Sequence, residues 1–302
     1  MLRAVNRIFA PTLGAVLLLA GCGLPPTASG GDAGGKVEVV VAENFWGSIA
    51  SQLGGEHARV SSIITNPDTD PHAYEAKPED ARSIARARYV VSNGAGYDPW
   101  VAKLAAANPV PGRRQLVIAD LVGRREGDNP HFWYSPKYVG QVVDRITSDL
   151  KQVDGADATY FDEQNRAYRA SSLRDYQDTI AVIRARYAGT PVGATESIFA
   201  YLSAEVGLKL VTPAEYMKAI SEGTDPSAGD KVAIEDQVAK GQVKALVFNS
   251  QNTTPDVKAL VDRARARGIP VVAVTETLTP ASATFQAWQT AQLRALLAAL
   301  GG

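Results

Sequence analysis

Two of the three histidines in this 302-residue chain stand in similar surroundings. His72 and His131 each follow a proline directly, and each is followed at once by a segment with aromatic residues. His72 and His131 lie in predicted loops, and each loop comes after an apolar run that is typical of a buried strand. Because open α/β sheets bind their ligands at the carboxyl ends of strands, the two imidazoles are candidate ligands for a metal ion.

Two glutamates occupy corresponding positions in the second half of the chain. Glu196 follows a predicted strand that ends at Ala194, and Glu276 follows the last predicted strand, which ends at Val274. Two imidazoles and two carboxylates suit a divalent transition metal, and carboxylates in a cleft would be poorly compensated without a cation. Taken singly, however, each histidine could be an ordinary surface residue and each glutamate a first-turn helix charge.

The third histidine, His57, lies in a glycine-led turn between a predicted helix and a predicted strand. This turn is at the opposite end of the predicted sheet from His72 and His131. We therefore expect His57 to be structural or solvated.

Predicted strands alternate with predicted helices before and after one long amphipathic segment. This alternation predicts two α/β lobes, each with a parallel sheet. We place the first lobe at residues 37–155 and the second at 189–302. Residues 156–188 lie between them, and 156–187 contain no proline or glycine and carry apolar residues at helical spacing. They predict one long rigid helix that joins the lobes, with the metal site in the cleft between them.

The amino terminus predicts export. Arg3 and Arg7 precede an apolar stretch that ends in Leu-Ala-Gly-Cys at residues 19–22, which indicates a signal peptide over residues 1–21. The last four letters resemble the bacterial lipobox, so we expect acylation of Cys22 and a lipid anchor at the outer face of the bacterial cell membrane. Small polar residues over 22–36 predict a flexible tether. Cys22 is the only cysteine, so no disulfide is expected.

The charge pattern excludes one class of partner. The chain has 31 basic and 32 acidic residues, and it has neither a basic stripe nor an aromatic stacking series. Nucleic-acid binding is therefore not expected.

Five motifs in order resemble those of the metal-binding lipoproteins of ABC importers for zinc and manganese. They are residues 70–75 (Asp-Pro-His-Ala-Tyr-Glu), 93–100 (Asn-Gly-Ala-Gly-Tyr-Asp-Pro-Trp), 129–133 (Asn-Pro-His-Phe-Trp), 196–201 (Glu-Ser-Ile-Phe-Ala-Tyr) and 274–276 (Val-Thr-Glu). The resemblance covers essentially the whole mature chain and implies His72, His131, Glu196 and Glu276 as metal ligands. It also implies Zn²⁺ or Mn²⁺ as cargo, an ABC permease and its ATPase as partners, and a monomer.

The sequence departs from the family pattern at several positions. Asn129 stands where an aspartate often supports the second histidine, and Glu75 is a further candidate for such support. Glu196 favours manganese, as does the lack of a long histidine-rich loop, and Glu276 is one methylene longer than the usual aspartate. The general order of affinities of protein sites for divalent transition metals favours zinc over manganese. The sequence therefore leaves the choice between the two metals open.

Two other functions remain open at this stage. A secreted zinc hydrolase could use Glu276 as a general base instead of a ligand, although the chain has no His-Glu-x-x-His helix. An adhesin or scaffold lipoprotein could share the fold without high-affinity metal binding.

Overall fold

The computed structural model describes residues 35–67, 69, 71 and 74–302. The predicted signal peptide, nearly all of the predicted tether, Cys22 and His72 therefore lie outside the described residues. Residues Lys36–Gly302 pack as one unit. Within the described ranges, no helix has both the length and the apolar character needed to span a membrane.

The first four strands form a parallel sheet in the order β2-β1-β3-β4. These are β1 (Val37–Glu43), β2 (Ala58–Ile64), β3 (Tyr89–Ser92) and β4 (Arg114–Val117). The strand β1 is central and valine-rich, as expected for a strand that is covered on both faces. The helices of this half are α1 (Asn44–Gly54), α2 (Pro78–Arg86), α3 (Pro99–Ala107), α4 (Ile118–Leu121) and α5 (Pro136–Val153).

The connecting segment is helical but is not the single α-helix that the sequence predicts. It consists of α6 (Ala158–Ala167), a π-helical segment (Tyr168–Ser172) and α7 (Arg174–Tyr187). The amide of Leu173 donates to the carbonyl of Tyr168, five residues back, at 2.9 Å. In an α-helix, residues five apart differ by about 140° around the axis. The wider π turn reduces this angle, so Tyr168 and Leu173 are both buried.

The second parallel sheet has the order β6-β5-β7-β8. Its strands are β5 (Pro191–Ala194), β6 (Lys209–Leu210), β7 (Leu246–Asn249) and β8 (Val271–Val274). Its helices are α8 (Ala200–Glu205), α9 (Ala214–Ser221), α10 (Ala228–Ala239), α11 (Pro255–Ala266) and α12 (Phe285–Leu300). Two parallel sheets confirm the predicted fold class.

One local pattern is misleading. The apolar run at residues 116–119 favours a single strand, but β4 ends at Val117 and the following residues form α4. Ile118 and Ala119 are buried in that short helix, and an apolar run alone does not distinguish a buried strand from a buried helix. The helix α9 buries one face through Tyr216, Met217 and Ile220.

A continuous hydrophobic core runs through both sheets. Aromatic rings link the two halves of the chain, each of which contains one of the sheets. Phe45 at the start of α1 stacks on Trp133, with ring centroids 4.0 Å apart, and its ring also lies 6.5 Å from that of Trp288 in α12. Nearby, the amides of Gln52 and Gln286 exchange hydrogen bonds of 3.1 and 2.7 Å. The helices α1 and α12 thus hold the two halves together.

Replacing Phe45 tests this link. Because Phe45 is fully buried between aromatic rings of both halves, we expect Phe45→Ala to lower the free energy of unfolding by about 3–5 kcal/mol. Urea denaturation measures the change, with Val182→Ala as the control, since Val182 on α7 is exposed. A loss no larger than that of the control would contradict the role of this aromatic stack.

Candidate metal centre

The structure brings together three of the four predicted ligands. Glu196 follows β5, Glu276 follows β8, and His131 precedes a short 3-10 turn (Phe132–Tyr134) that leads into α5. One donor atom from each of the three lies within 4.8 Å of the others. Their exposed fractions are 0%, 1% and 4% for His131, Glu196 and Glu276, so the cluster is shielded from solvent. Both halves of the chain contribute to it.

His131 is oriented by Asn129. The Nδ1 atom of His131 lies 2.7 Å from Oδ1 of Asn129, and the backbone amide of His131 donates to the same oxygen at 3.1 Å. The Nδ2 group of Asn129 donates to the carbonyl of Ser197 at 2.8 Å, which fixes the orientation of the amide. Since an amide oxygen only accepts, Nδ1 of His131 carries a proton, which leaves Nε2 as the ring nitrogen available to a metal ion.

The two carboxylates are oriented by neutral donors. Asn249 at the end of β7 donates from Nδ2 to Oε1 of Glu196 at 2.8 Å and to Oε1 of Glu276 at 2.9 Å. Asn252 donates to Oε2 of Glu196 at 2.9 Å, and the hydroxyl of Tyr97 donates to Oε2 of Glu276 at 2.8 Å. These four bonds fix the carboxylates but add no positive charge, so the arrangement suits a cation.

Sequence reasoning missed Asn249, Gln251, Asn252 and Tyr97 as site residues. Residues 249–252 read Asn-Ser-Gln-Asn directly after β7, and three amides at the carboxyl end of an inner strand were a usable signal. Tyr97 lies in a loop where Gly94, Ala95 and Gly96 all have positive φ, at 75°, 55° and 82°. Asp98 fixes this loop by accepting the amides of Asn93 and Gly94, each at 2.7 Å.

The other candidates lie apart from this cluster or outside the described residues. His72 is outside them, and its ligand role stays a prediction. Glu75 is exposed to solvent, and its supporting role also stays a prediction. His57 contacts the carboxylate of Asp157 and packs against Tyr160, with ring centroids 4.3 Å apart.

A cavity of about 510 Å³ borders the cluster. Tyr97, Asn129 and Ser197 line it, and all three also contact His131 or Glu276. The charged side chains of the wall are Glu126, Asp128, Glu215, Glu222 and Lys218. Four carboxylates against one ammonium group favour the approach of cations over anions.

Glu43, the last residue of β1, and Asp98, directly before α3, form a second buried acidic pair. Both carboxyls are almost fully buried. Burial, and then the negative charge of Asp98, raise the pKa of Glu43 well above its usual range. Burial also raises the pKa of Asp98, but the two backbone amides that it accepts oppose this rise.

The raised pKa of Glu43 predicts a pH-dependent stability. The folded protein binds a proton at the Glu43 carboxyl more tightly than the unfolded chain does. The stabilisation that this proton provides is complete at low pH and is lost as the pH rises through the folded-state pKa of Glu43. We expect Glu43→Gln to raise the free energy of unfolding by about 1–2 kcal/mol at pH 8 and by clearly less at pH 5. Urea denaturation at both pH values, with partly exposed Glu38→Gln on β1 as the control, measures this difference. An equal effect at both pH values would contradict the raised pKa of Glu43.

Comparisons with known proteins agree with this geometry. Residues 39–299 match the model of a protein family that is described as "ZnuA: Zinc-uptake complex component A periplasmic". The manganese-binding lipoprotein MntA of Bacillus subtilis is 24% identical over 277 residues, which cover 86% of each chain.

Two solved structures share the fold. One is a metal-free mutant of the periplasmic metal binding protein from Candidatus Liberibacter asiaticus, with a TM-score of 0.73 and 17% identity over 87% of this chain and 98% of that chain. The other is FpvC from Pseudomonas aeruginosa in complex with Mn²⁺, with a TM-score of 0.70 and 21% identity over 88% and 98%. Because the family model spans nearly all of the chain that the structure describes, this protein belongs to the ZnuA family of metal-binding substrate-binding proteins, which confirms the sequence-based predictions of a role in metal import and of binding without catalysis.

Proposed function

We propose that this protein captures one Zn²⁺ or Mn²⁺ ion with His131, Glu196 and Glu276 and that His72 is the fourth ligand. The observation that carries the proposal is the buried convergence of one imidazole and two carboxylates, whose donor atoms lie within 4.8 Å of one another. A bound divalent cation would balance the two negative charges. Because the ligands come from both halves of the chain, the ion itself would hold the halves together.

We propose further that acylated Cys22 anchors the protein at the outer face of the cell membrane. There it would release its ion to an ABC permease that is driven by its ATPase. Support for this comes from the Leu-Ala-Gly-Cys sequence at residues 19–22 and from family membership. MntA of Bacillus subtilis, which is similar over most of its length, is itself a lipoprotein.

The donor set supports both metals. Two carboxylates provide hard oxygen ligands that suit manganese, whereas the family description and the general affinity order favour zinc. We expect that Zn²⁺ binds more tightly in vitro and that Mn²⁺ binds measurably at the same site.

Removing single ligands tests the site. The mature domain is stripped with a chelator and titrated separately with Zn²⁺ and Mn²⁺, while calorimetry and thermal unfolding are followed. We expect one tight equivalent that raises the unfolding temperature, because the ion binds only the folded state. We expect His131→Ala, Glu196→Gln and Glu276→Gln each to weaken it at least about 100-fold. His57→Ala is the matched histidine control, and undiminished binding by His131→Ala would contradict the proposal.

The support of His131 can be tested separately at Asn129. Asn129→Ala removes the acceptor for Nδ1 and should weaken metal binding by about 10–100-fold. Asn129→Asp keeps an acceptor oxygen, so binding should stay close to that of the wild type. If both variants bind like the wild type, Asn129 does not orient the imidazole. The same titrations measure both effects.

A further inference from the structure

One amide side chain contacts both halves of the chain beside the candidate metal centre. Oε1 of Gln251 accepts the backbone amides of Glu276 at 2.7 Å and Thr277 at 3.1 Å. Its Nε2 group donates to Oγ1 of Thr277 at 2.8 Å and to the backbone carbonyl of Pro67. Pro67 belongs to the first half of the chain and lies between β2 and His72 in the sequence.

The acceptor end of Gln251 sets the backbone from which the Glu276 side chain projects. Two amide groups in a row, those of Glu276 and Thr277, converge on one oxygen. The direction of the Glu276 carboxylate therefore depends on this contact as well as on Asn249 and Tyr97.

Gln251 also acts on both carboxylates through Asn249. Its backbone amide donates to Oδ1 of Asn249 at 3.0 Å, and Nδ2 of the same asparagine donates to Glu196 and Glu276. With Oδ1 occupied in this way, the amide plane of Asn249 is fixed so that its Nδ2 group points at the carboxylates. Two paths of hydrogen bonds thus connect Gln251 to the candidate ligands.

We propose that Gln251 is a positioning residue that couples the segment before His72 to Glu276, so that displacement of this segment loosens the metal site in the second half. When Pro67 moves away, Gln251 loses its contact with the first half and holds the backbone at Glu276 less firmly. A membrane partner that pulls on the segment before His72 would in this way promote release of the ion. The inference rests on the proposed role of Glu276 as a ligand.

Hydrogen exchange in the metal-free protein tests the link itself. Gln251→Ala removes both ends of the contact and should speed exchange at Glu276 and Thr277 by about tenfold, the equivalent of one lost hydrogen bond. Gln251→Glu keeps an acceptor for these amides but removes the donor to Pro67. It should preserve their protection while exchange rises in a peptide covering residues 59–66. Unchanged exchange in that peptide in both variants would overturn the link.

Release of Zn²⁺ to an excess of chelator tests the consequence. We expect Gln251→Ala to bind one equivalent but to release it about 10–100 times faster than the wild type. Gln115→Ala on β4 is the control, because Gln115 is an exposed glutamine. Wild-type release by Gln251→Ala would overturn the coupling to the metal site. If the wild type bound no metal, the proposed function would fail, and the exchange experiment would still decide whether Gln251 links the two segments.

Discussion

Two carboxylates that are withdrawn from water and held within 4.8 Å of each other and of an imidazole set the main constraint on this structure. Burying like charges costs several kcal/mol unless a cation or protons compensate them. The protein surrounds Glu196 and Glu276 with the amides of Asn249 and Asn252 and the hydroxyl of Tyr97, which orient the charges without cancelling them. Such a site is incomplete without a cation, which is what a protein that carries a metal ion requires.

The site spans both halves of the chain, so its geometry depends on how firmly they are joined. Phe45, Trp133 and Trp288 form an aromatic contact between the halves. Tyr134, three residues after His131, donates from its hydroxyl to the carbonyl of Thr275 at 2.8 Å, directly before Glu276. The loop that carries His131 and the loop that carries Glu276 are therefore tied to each other independently of any ion. We infer that His131, Glu196 and Glu276 are largely preorganised and that release of a bound ion would require local movement of loops.

Much of this architecture could be predicted from residue types and positions in the sequence. The valine-rich β1 could be recognised as a buried strand. His131 stood out because it follows a proline and precedes aromatic residues, as His72 does, and Glu196 and Glu276 because they follow predicted strands. The position of Asn249 at a strand end was a usable signal, but its two partners could not be predicted, since they come together only in the folded chain. The π-helical segment at Tyr168–Ser172 was missed because its apolar residues were interpreted with the α-helical period. Local pattern identified the candidate ligands, whereas the neutral groups that orient them depend on tertiary contacts.

We propose centrally that His131, Glu196 and Glu276 bind the ion while Asn249 stays hydrogen-bonded to both carboxylates. A crystal structure of the zinc-loaded protein, with anomalous diffraction measured at the zinc absorption edge, tests it most directly. We expect one strong anomalous peak about 2.0–2.2 Å from Nε2 of His131 and from an oxygen of each glutamate. Nδ2 of Asn249 should still lie within hydrogen-bonding distance of both side chains. A main peak elsewhere, for instance beside His57 and Asp157, would contradict the account.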